Sequence, residues 1–360
     1  MKYIIHIFFW LLTIQNSTAQ LDTTHFSRII DIIEKLYEDG KIHGGVLIAE
    51  GENIIYQNAF GMADRTLEIP NTSKTRFTIN SMEKMFTAIL TLRLVEDDLI
   101  SLHDPVSKHL PWFNHPRAGD ITIHQLLSHR SGLKGYFREQ LEGNLDFFIT
   151  QREVLDRMAQ LGLNFEPGTG YDYCNTGFLL LGEIIMKYYN DDFYNILQDQ
   201  IYKPLNMKNT YNSTSVYGPG APVYYRQDGS PATPFPHSNY RGDGGSKSTL
   251  EDLHKFMVAL GSEKLLRPES WEIMFQKHSL PEEAFRDFGP HYFPYGYGSN
   301  IYELPHDNGD TASAIGHSGA GIGSSNIMIR FKDSNRIVIL WNNEFLRPVS
   351  NELFDELSRL

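Results

Sequence analysis

A serine and a lysine three positions apart, Ser81 and Lys84, stand at the head of an apolar run of Met85, Phe86, Ala88, Ile89, Leu90, Leu92, Leu94 and Val95. On an α-helix that spacing puts the two side chains on one face, within reach of each other. A run that is apolar nearly all round predicts a helix buried at the centre of a domain. Its first turn then gathers a hydroxyl, an ammonium, unpaired backbone N–H groups and the positive end of the helix dipole. That is a nucleophile with a local base and the beginning of an oxyanion hole, the equipment of acyl transfer. The pair alone is a common coincidence in a chain of 360 residues, so its weight depends on what accompanies it.

Two later clusters add to it. Tyr173-Cys174-Asn175 follows Glu166-Pro167-Gly168-Thr169-Gly170 and directly precedes a helical pattern. A tyrosine beside a lysine ammonium is drawn toward the phenolate and so serves as base or acid. An asparagine two positions on can hold a substrate carbonyl and the lysine. Gly316-His317-Ser318-Gly319-Ala320-Gly321 falls after one apparent strand and before another. It offers an imidazole, an exposed backbone N–H and glycines that let a substrate lie against the strand.

The elements that must carry these groups are legible in the pattern. Phe26, Ile29, Ile30, Ile33, Leu36 and Tyr37 fall at helical spacing and stop at Gly40. Val46 to Ala49 and Ile54 to Gln57 read as a hairpin. The nucleophile helix ends near Asp98, and helices are predicted over Thr122 to Ser128, Phe178 to Tyr188 and Leu250 to Leu260. Strands are predicted at Tyr295 to Tyr302, Ile315 to His317, Asn326 to Phe331 and Arg336 to Trp341, with a closing helix from about Val349. The stretch Tyr211 to Asn239, rich in proline and aromatic residues, reads as a surface excursion whose aromatics face a substrate. Tyr292, Phe293, Tyr295 and Tyr297 suit either a cleft lining or strand packing. Strands at both ends with helices between predict an α+β architecture, with an antiparallel sheet completed by the two termini and a helical insertion.

Composition narrows the function. Apolar content of 41% and charged content of 21% describe an ordinary globular protein. A formal charge of −12 argues against nucleic acid as a partner. Lys2, the apolar run Tyr3 to Leu12 and the small residues Ser17 and Ala19 read as a secretory signal cleaved near Ala19, or as a retained N-terminal anchor. The expected mature protein is periplasmic or secreted. Cys174 is the only cysteine, so no internal disulfide is expected.

Ser81-x-x-Lys84, Tyr173-x-Asn175 and His317-x-Gly319, in that order, resemble the motifs of the serine β-lactamase and penicillin-binding-protein superfamily. The nearest branch holds class C β-lactamases, D-alanyl-D-alanine carboxypeptidases and esterases. Leu94 to Val106, Ile121 to Leu133, Gly244 to Leu253 and Tyr295-Gly296-Tyr297-Gly298 are similar to further segments of that family. The resemblance implies an α/β fold, an antiparallel sheet flanked by helices plus a mainly helical lobe. It also implies a single domain over residues 20–360, with an α/β lobe of about residues 20–80 and 245–360 and a helical lobe of about 81–244. By the same resemblance, Ser81 is the acylated nucleophile and Lys84 its proton partner. Tyr173 is base or proton relay, Asn175, His317 and Gly319 bind substrate, and the N–H groups of Ser81 and Ala320 form the oxyanion hole. His317 would line the pocket as a partner for Tyr173.

Histidine at position 317, where the lactamases carry lysine, is typical of peptidase-like and esterase-like relatives, and a neutral imidazole grips a carboxylate less well than lysine. Glu83, inside the first motif, is expected as a dipole partner at the helix start. Cys174 is expected as a small buried filler, and His129 as a polar residue satisfying a helix end. The implied enzyme is a hydrolase of D-amino-acid amides or peptides or small esters, with no cofactor or metal and a small-molecule or peptide substrate as its partner. A true β-lactamase, or a catalytically silent binding or sensor module, are the alternatives. Gly316-His317-Ser318-Gly319-Ala320 also mimics a nucleophile elbow, but no histidine follows Ser318 to serve as its base. The histidines do not fall at recognised metal-ligand spacings.

Overall fold

A computed structural model describes residues 23–212, 220–232, 240–280, 293–305 and 311–344. The expected signal segment, Tyr292, the closing helix from about Val349 and much of the Tyr211 to Asn239 excursion lie outside the described residues.

The described residues open with helix α1 (Thr23–Glu38), then strands β1 (Gly44–Glu50), β2 (Asn53–Ala59), β3 (Met62–Asp64), β4 (Ile69–Pro70) and β5 (Phe77–Thr78). A 3₁₀ turn over Asn80–Met82 leads into α2 (Glu83–Glu96). Helices α3 (Val106–His109), α4 (Ile123–Leu127), α5 (Tyr136–Leu141), α6 (Gln151–Met158), α7 (Asn175–Tyr189) and α8 (Phe193–Leu197) follow. Strands β6 (Tyr211–Asn212) and β7 (Ser246–Ser248) precede α9 (Leu250–Ala259) and α10 (Pro268–Met274). The chain returns through β8 (Asn300–Pro305), β9 (Thr311–Gly321), β10 (Ser324–Phe331) and β11 (Arg336–Asn342).

Six strands form one antiparallel sheet in the order β2-β1-β11-β10-β9-β8. Strand side chains alternate between faces, and both faces here are buried. Val46, Ile48, Ile327, Ile329, Val338 and Leu340 pack with Ile29, Ile33 and Leu36 of α1. Leu47, Ala49, Met328, Ile337, Ile339 and Trp341 belong to the larger core built around α2, α7 and α9. Covering both faces explains why these strands read as unbroken apolar runs. β8 begins at Asn300, and Tyr295 makes only isolated bridges before it, so the strand expected from Tyr295 is shorter.

Helix α2 is the central element. From Glu83 to Leu92 every residue is buried, and so is Leu94. Its two threonines are satisfied without water: Thr91 Oγ1 donates to Thr87 O at 2.8 Å and Thr87 Oγ1 donates to Gly242 O at 2.6 Å. The helix stops at Asp97, followed by Asp98 in the left-handed region. Burying each large apolar side chain along it is worth about 1.5–3 kcal/mol. Leu90→Ala would therefore cost about 2–5 kcal/mol.

Two of the excursion's aromatics face the protein rather than a substrate. Tyr224 and Tyr225 are buried, and the Tyr224 hydroxyl accepts the Thr78 N–H at 2.8 Å and donates to Thr78 Oγ1 at 2.9 Å. Among the described residues, no helix is long and apolar enough to cross a membrane.

Candidate active site

Strand β5 hydrogen-bonds to β7, pairing Thr78 with Lys247, and then delivers the chain to the turn that carries Ser81. Ser81 thus sits in the 3₁₀ turn just before α2 rather than in its first α-helical turn. Asn80 adopts a left-handed φ of 51°, and its Nδ2 donates to Ser324 Oγ at 3.0 Å. Asparagine tolerates that backbone better than most residues. Strand β9 lies directly on this turn. A Cβ on Gly319 would fall 2.4 Å from Ile79 O and 3.3 Å from Ser81 N. The glycine at 319 therefore allows the close approach of strand to the Ser81 turn. Ala320 is next to it and exposed, on a stretch that β8 does not pair, because β8 follows β9 only to Gly316.

Lys84 Nζ donates to Ser81 Oγ at 3.1 Å and to Asp243 O at 2.9 Å. Its side chain is fully buried, with the ammonium 5.1 Å from the Tyr173 ring centroid and 5.5 Å from that of Phe178. Burial lowers the lysine pKa to about 8, against the raising influence of Asp243, Glu83 and Cys174. A lysine so placed is a base for a serine hydroxyl near neutral pH.

Tyr173 and Asn175 arrive at the start of α7, Asn175 being its first residue and Cys174 its N-cap. Burial pushes the Tyr173 phenol well up, while the facing Ser81 hydroxyl draws it back in part. Burial therefore works against the phenolate character expected from sequence: removal from water, with Asp243 acting in the same direction, outweighs the Ser81 hydroxyl. Tyr173 Oη and Asn175 Oδ1 are buried with no hydrogen-bond partner of good geometry among the described residues. Cys174 is the buried filler expected, its thiol pushed up to about 11 by burial.

His317 lies within β9, the strand expected over Ile315 to His317 extending further in both directions, and its hydrogen-bond partner is Tyr295 rather than Tyr173. Nδ1 donates to Ser318 O at 2.5 Å, so Nε2 is the bare nitrogen that accepts the Tyr295 O–H at 2.9 Å. Burial, then the Lys84 charge, lower the imidazole pKa to about 3. His317 is neutral, and both its nitrogens are engaged inside the protein.

The family model for β-lactamase matches residues 29–355. The chain belongs to the β-lactamase family. It is 29% identical to penicillin-binding protein 4* of Bacillus subtilis (strain 168), over 87% of this chain and 70% of that protein. Among solved structures, it is similar to the penicillin-binding protein of Bacillus halodurans, with a TM-score of 0.76 and 27% identity, covering 91% of this chain and 97% of that one. It is also similar to the D-amino acid amidase of Ochrobactrum anthropi SV3 complexed with L-phenylalanine amide. There the TM-score is 0.73 and the identity 25%, covering 89% of this chain and 91% of that one. The chain is a serine hydrolase of the β-lactamase and penicillin-binding-protein superfamily.

Around the three motifs, this β-lactamase-family site recruits residues the sequence reading did not assign. Asp243 holds Lys84 through its main-chain oxygen, and its carboxylate accepts the Tyr136 O–H at 2.5 Å. An aspartate bracketed by Gly242 and Gly244 was the available signal; Tyr136 had none, lying far off in sequence. His129, with a left-handed φ of 57°, accepts the Cys174 N–H on Nδ1 at 3.0 Å and packs its ring 4.2 Å from that of Tyr173. It thus steadies the second motif rather than only ending a helix. Glu83 stands in the first turn of α2, as expected, and has a further part. It is fully buried, accepts the Ser246 N–H at 2.8 Å and ties α2 to β7. Among the described residues, no three His, Cys, Asp or Glu side chains converge as a metal site.

Proposed function

We propose that this chain is an exported hydrolase working through a Ser81 acyl-enzyme on D-amino-acid amides or peptides, or on small esters. The observation that carries the reading is the 3.1 Å contact between Ser81 Oγ and a buried Lys84 whose pKa is lowered to about 8. Neutral Lys84 takes the Ser81 proton as Oγ attacks the acyl carbon. The backbone N–H groups of Ser81 and Ala320 receive the developing oxyanion. Of the two roles open to Tyr173, its environment favours the relay: a protonated phenol passes a proton from Lys84 to the departing amine or alcohol while giving its own. Asn175 orients the substrate carbonyl. Water then attacks the ester by the reverse route, releasing the acid and freeing Ser81.

The amide-hydrolysing neighbour in structure space supports the substrate class. The neutral His317 weighs against a β-lactamase, since it offers no fixed cation to a lactam carboxylate. Export is supported by the pattern of Met1 to Ala19.

The test is turnover of a p-nitrophenyl ester and of D- and L-phenylalanine amide by the purified exported protein, beside Ser81→Ala. Mass spectrometry of the exported protein reads its N-terminus, expected near Gln20. Turnover that prefers the D-amide and vanishes in Ser81→Ala is expected. Hydrolysis unaffected by Ser81→Ala would remove the proposed nucleophile. Rapid turnover of penicillin with none of the amides would move the assignment to β-lactamase. Binding of the amides without turnover would favour a silent sensor.

A further inference from the structure

The stretch Arg241 to Gly245 passes between α2 and α7 with no room to spare. A Cβ on Gly242, whose φ is 107°, would meet Phe178 O at 2.3 Å, and one on Gly182 would meet Arg241 O at 2.4 Å. Thr87 Oγ1 of α2 donates to Gly242 O at 2.6 Å. Asp243 is therefore rigidly held beneath Lys84, and its main-chain oxygen receives Lys84 Nζ. Its carboxylate is buried and takes the Tyr136 O–H at a distance expected of a charged acceptor. Tyr136 is fixed in turn: its N–H donates to Thr176 Oγ1 at 3.0 Å, and its ring meets that of Tyr240 edge-on at 5.2 Å.

Several titratable groups surround Lys84. From the segment before α7 come Tyr173 and Cys174, whose hydroxyl and thiol burial keeps protonated. From beyond α4 comes His129 and from β9 comes His317, both held neutral. Next to it on α2 is Glu83, which burial raises to about 7. Asp243 is the neighbour whose charge most favours the ammonium. Burial pushes its carboxyl up, while Lys84 and then the Tyr136 hydroxyl pull it back.

Resting on the acyl-enzyme reading above, we propose that Asp243, clamped by Tyr136, is the positioning residue that tunes the Lys84–Ser81 pair. Its main chain aims the lysine, and its carboxylate sets how readily the lysine gives up its proton. Removing that anion makes the ammonium easier to deprotonate, so the base is free at lower pH. Taking away the Tyr136 hydroxyl acts in the same direction, because a less stabilised carboxylate picks up a proton.

The experiment is the rate of Ser81 labelling by a fluorophosphonate from pH 5.5 to 10 in the parent, Asp243→Asn, Tyr136→Phe and Ser81→Ala. Labelling in the parent rises through about pH 8 as Lys84 loses its proton. The midpoint should fall by about one unit or more in Asp243→Asn, the usual effect of a near charge. In Tyr136→Phe it should fall by less. A role confined to holding the fold lowers the rate at every pH and leaves the midpoint in place, and that result overturns the proposal. If Asp243→Asn does not fold, Tyr136→Phe decides the question alone. Labelling that persists in Ser81→Ala defeats the functional reading and this inference together. A Ser81-dependent profile with unmoved midpoints defeats only the inference.

Discussion

Glu83 and Lys84 are neighbours on α2, both fully buried, and burial moves them in opposite directions, the acid up to about 7 and the base down to about 8. Sequence placed Glu83 at a helix start, where a carboxylate normally profits from the dipole at the surface. In the fold, β7 covers that turn and Ser246 N–H is the bonded partner of its carboxylate, while Oε1 has none. The shift has a consequence for stability. Between pH 4.5 and 7 the folded chain holds the Glu83 proton and the unfolded chain has released it, so stability falls as pH rises through that window. The loss from this residue is of order 3 kcal/mol. Glu83→Gln, which still accepts from Ser246, should lose less stability between pH 5 and pH 8 than the parent. Urea denaturation at the two pH values measures it, and equal losses in both proteins would show that Glu83 does not titrate there.

At the scale of elements, the third motif acts through the strand that carries it. His317, Gly319 and Ala320 lie on β9, which pairs with β10 from Ala314 to Gly321 and touches the Ser81 turn at Gly319. Gly319→Ala puts a methyl into the main chain of Ile79 and Ser81, which cannot move as a flexible side chain would. The strand must lift away, carrying with it Ala320, whose N–H is proposed above as an oxyanion donor. Loss of an oxyanion donor costs about 10²–10³-fold in rate, and the overpacking costs about 1–3 kcal/mol of stability. Ester turnover and thermal unfolding of Gly319→Ala check both, and parent-like turnover would detach β9 from catalysis. The order and type of most described elements were legible, because α1, α2, α7 and β9 to β11 carry strong apolar periodicity. The placement of Ser81 in a 3₁₀ turn was not, since Asn80 and its contact with Ser324 depend on β10.

Across the whole molecule, the chain is closed by its own ends: β1 lies between β2 and β11, in register from Gly44↔Asn342 to Glu50↔Arg336. Val46, Leu47, Ile48 and Ala49 are fully buried in that position. A chain beginning at Asn53 keeps Ser81, Lys84, Tyr173 and His317 but uncovers the face of β11 that packs with α1 and unpairs its edge. It should show no cooperative unfolding transition and no fluorophosphonate labelling at Ser81; a folded, labelled product would mean that the first strand is dispensable. The sequence by itself determined the three motifs, their order, the buried character of the nucleophile helix and the antiparallel α+β plan. Each of these follows from local spacing or from apolar period. Only the tertiary structure decided that Tyr173 stays protonated, that His317 is a neutral partner of Tyr295, and that Asp243 with Tyr136 sits beneath Lys84. The physical reason is shared: a titratable group answers to its desolvation and to charges brought from distant segments, and neither is written in the residues beside it.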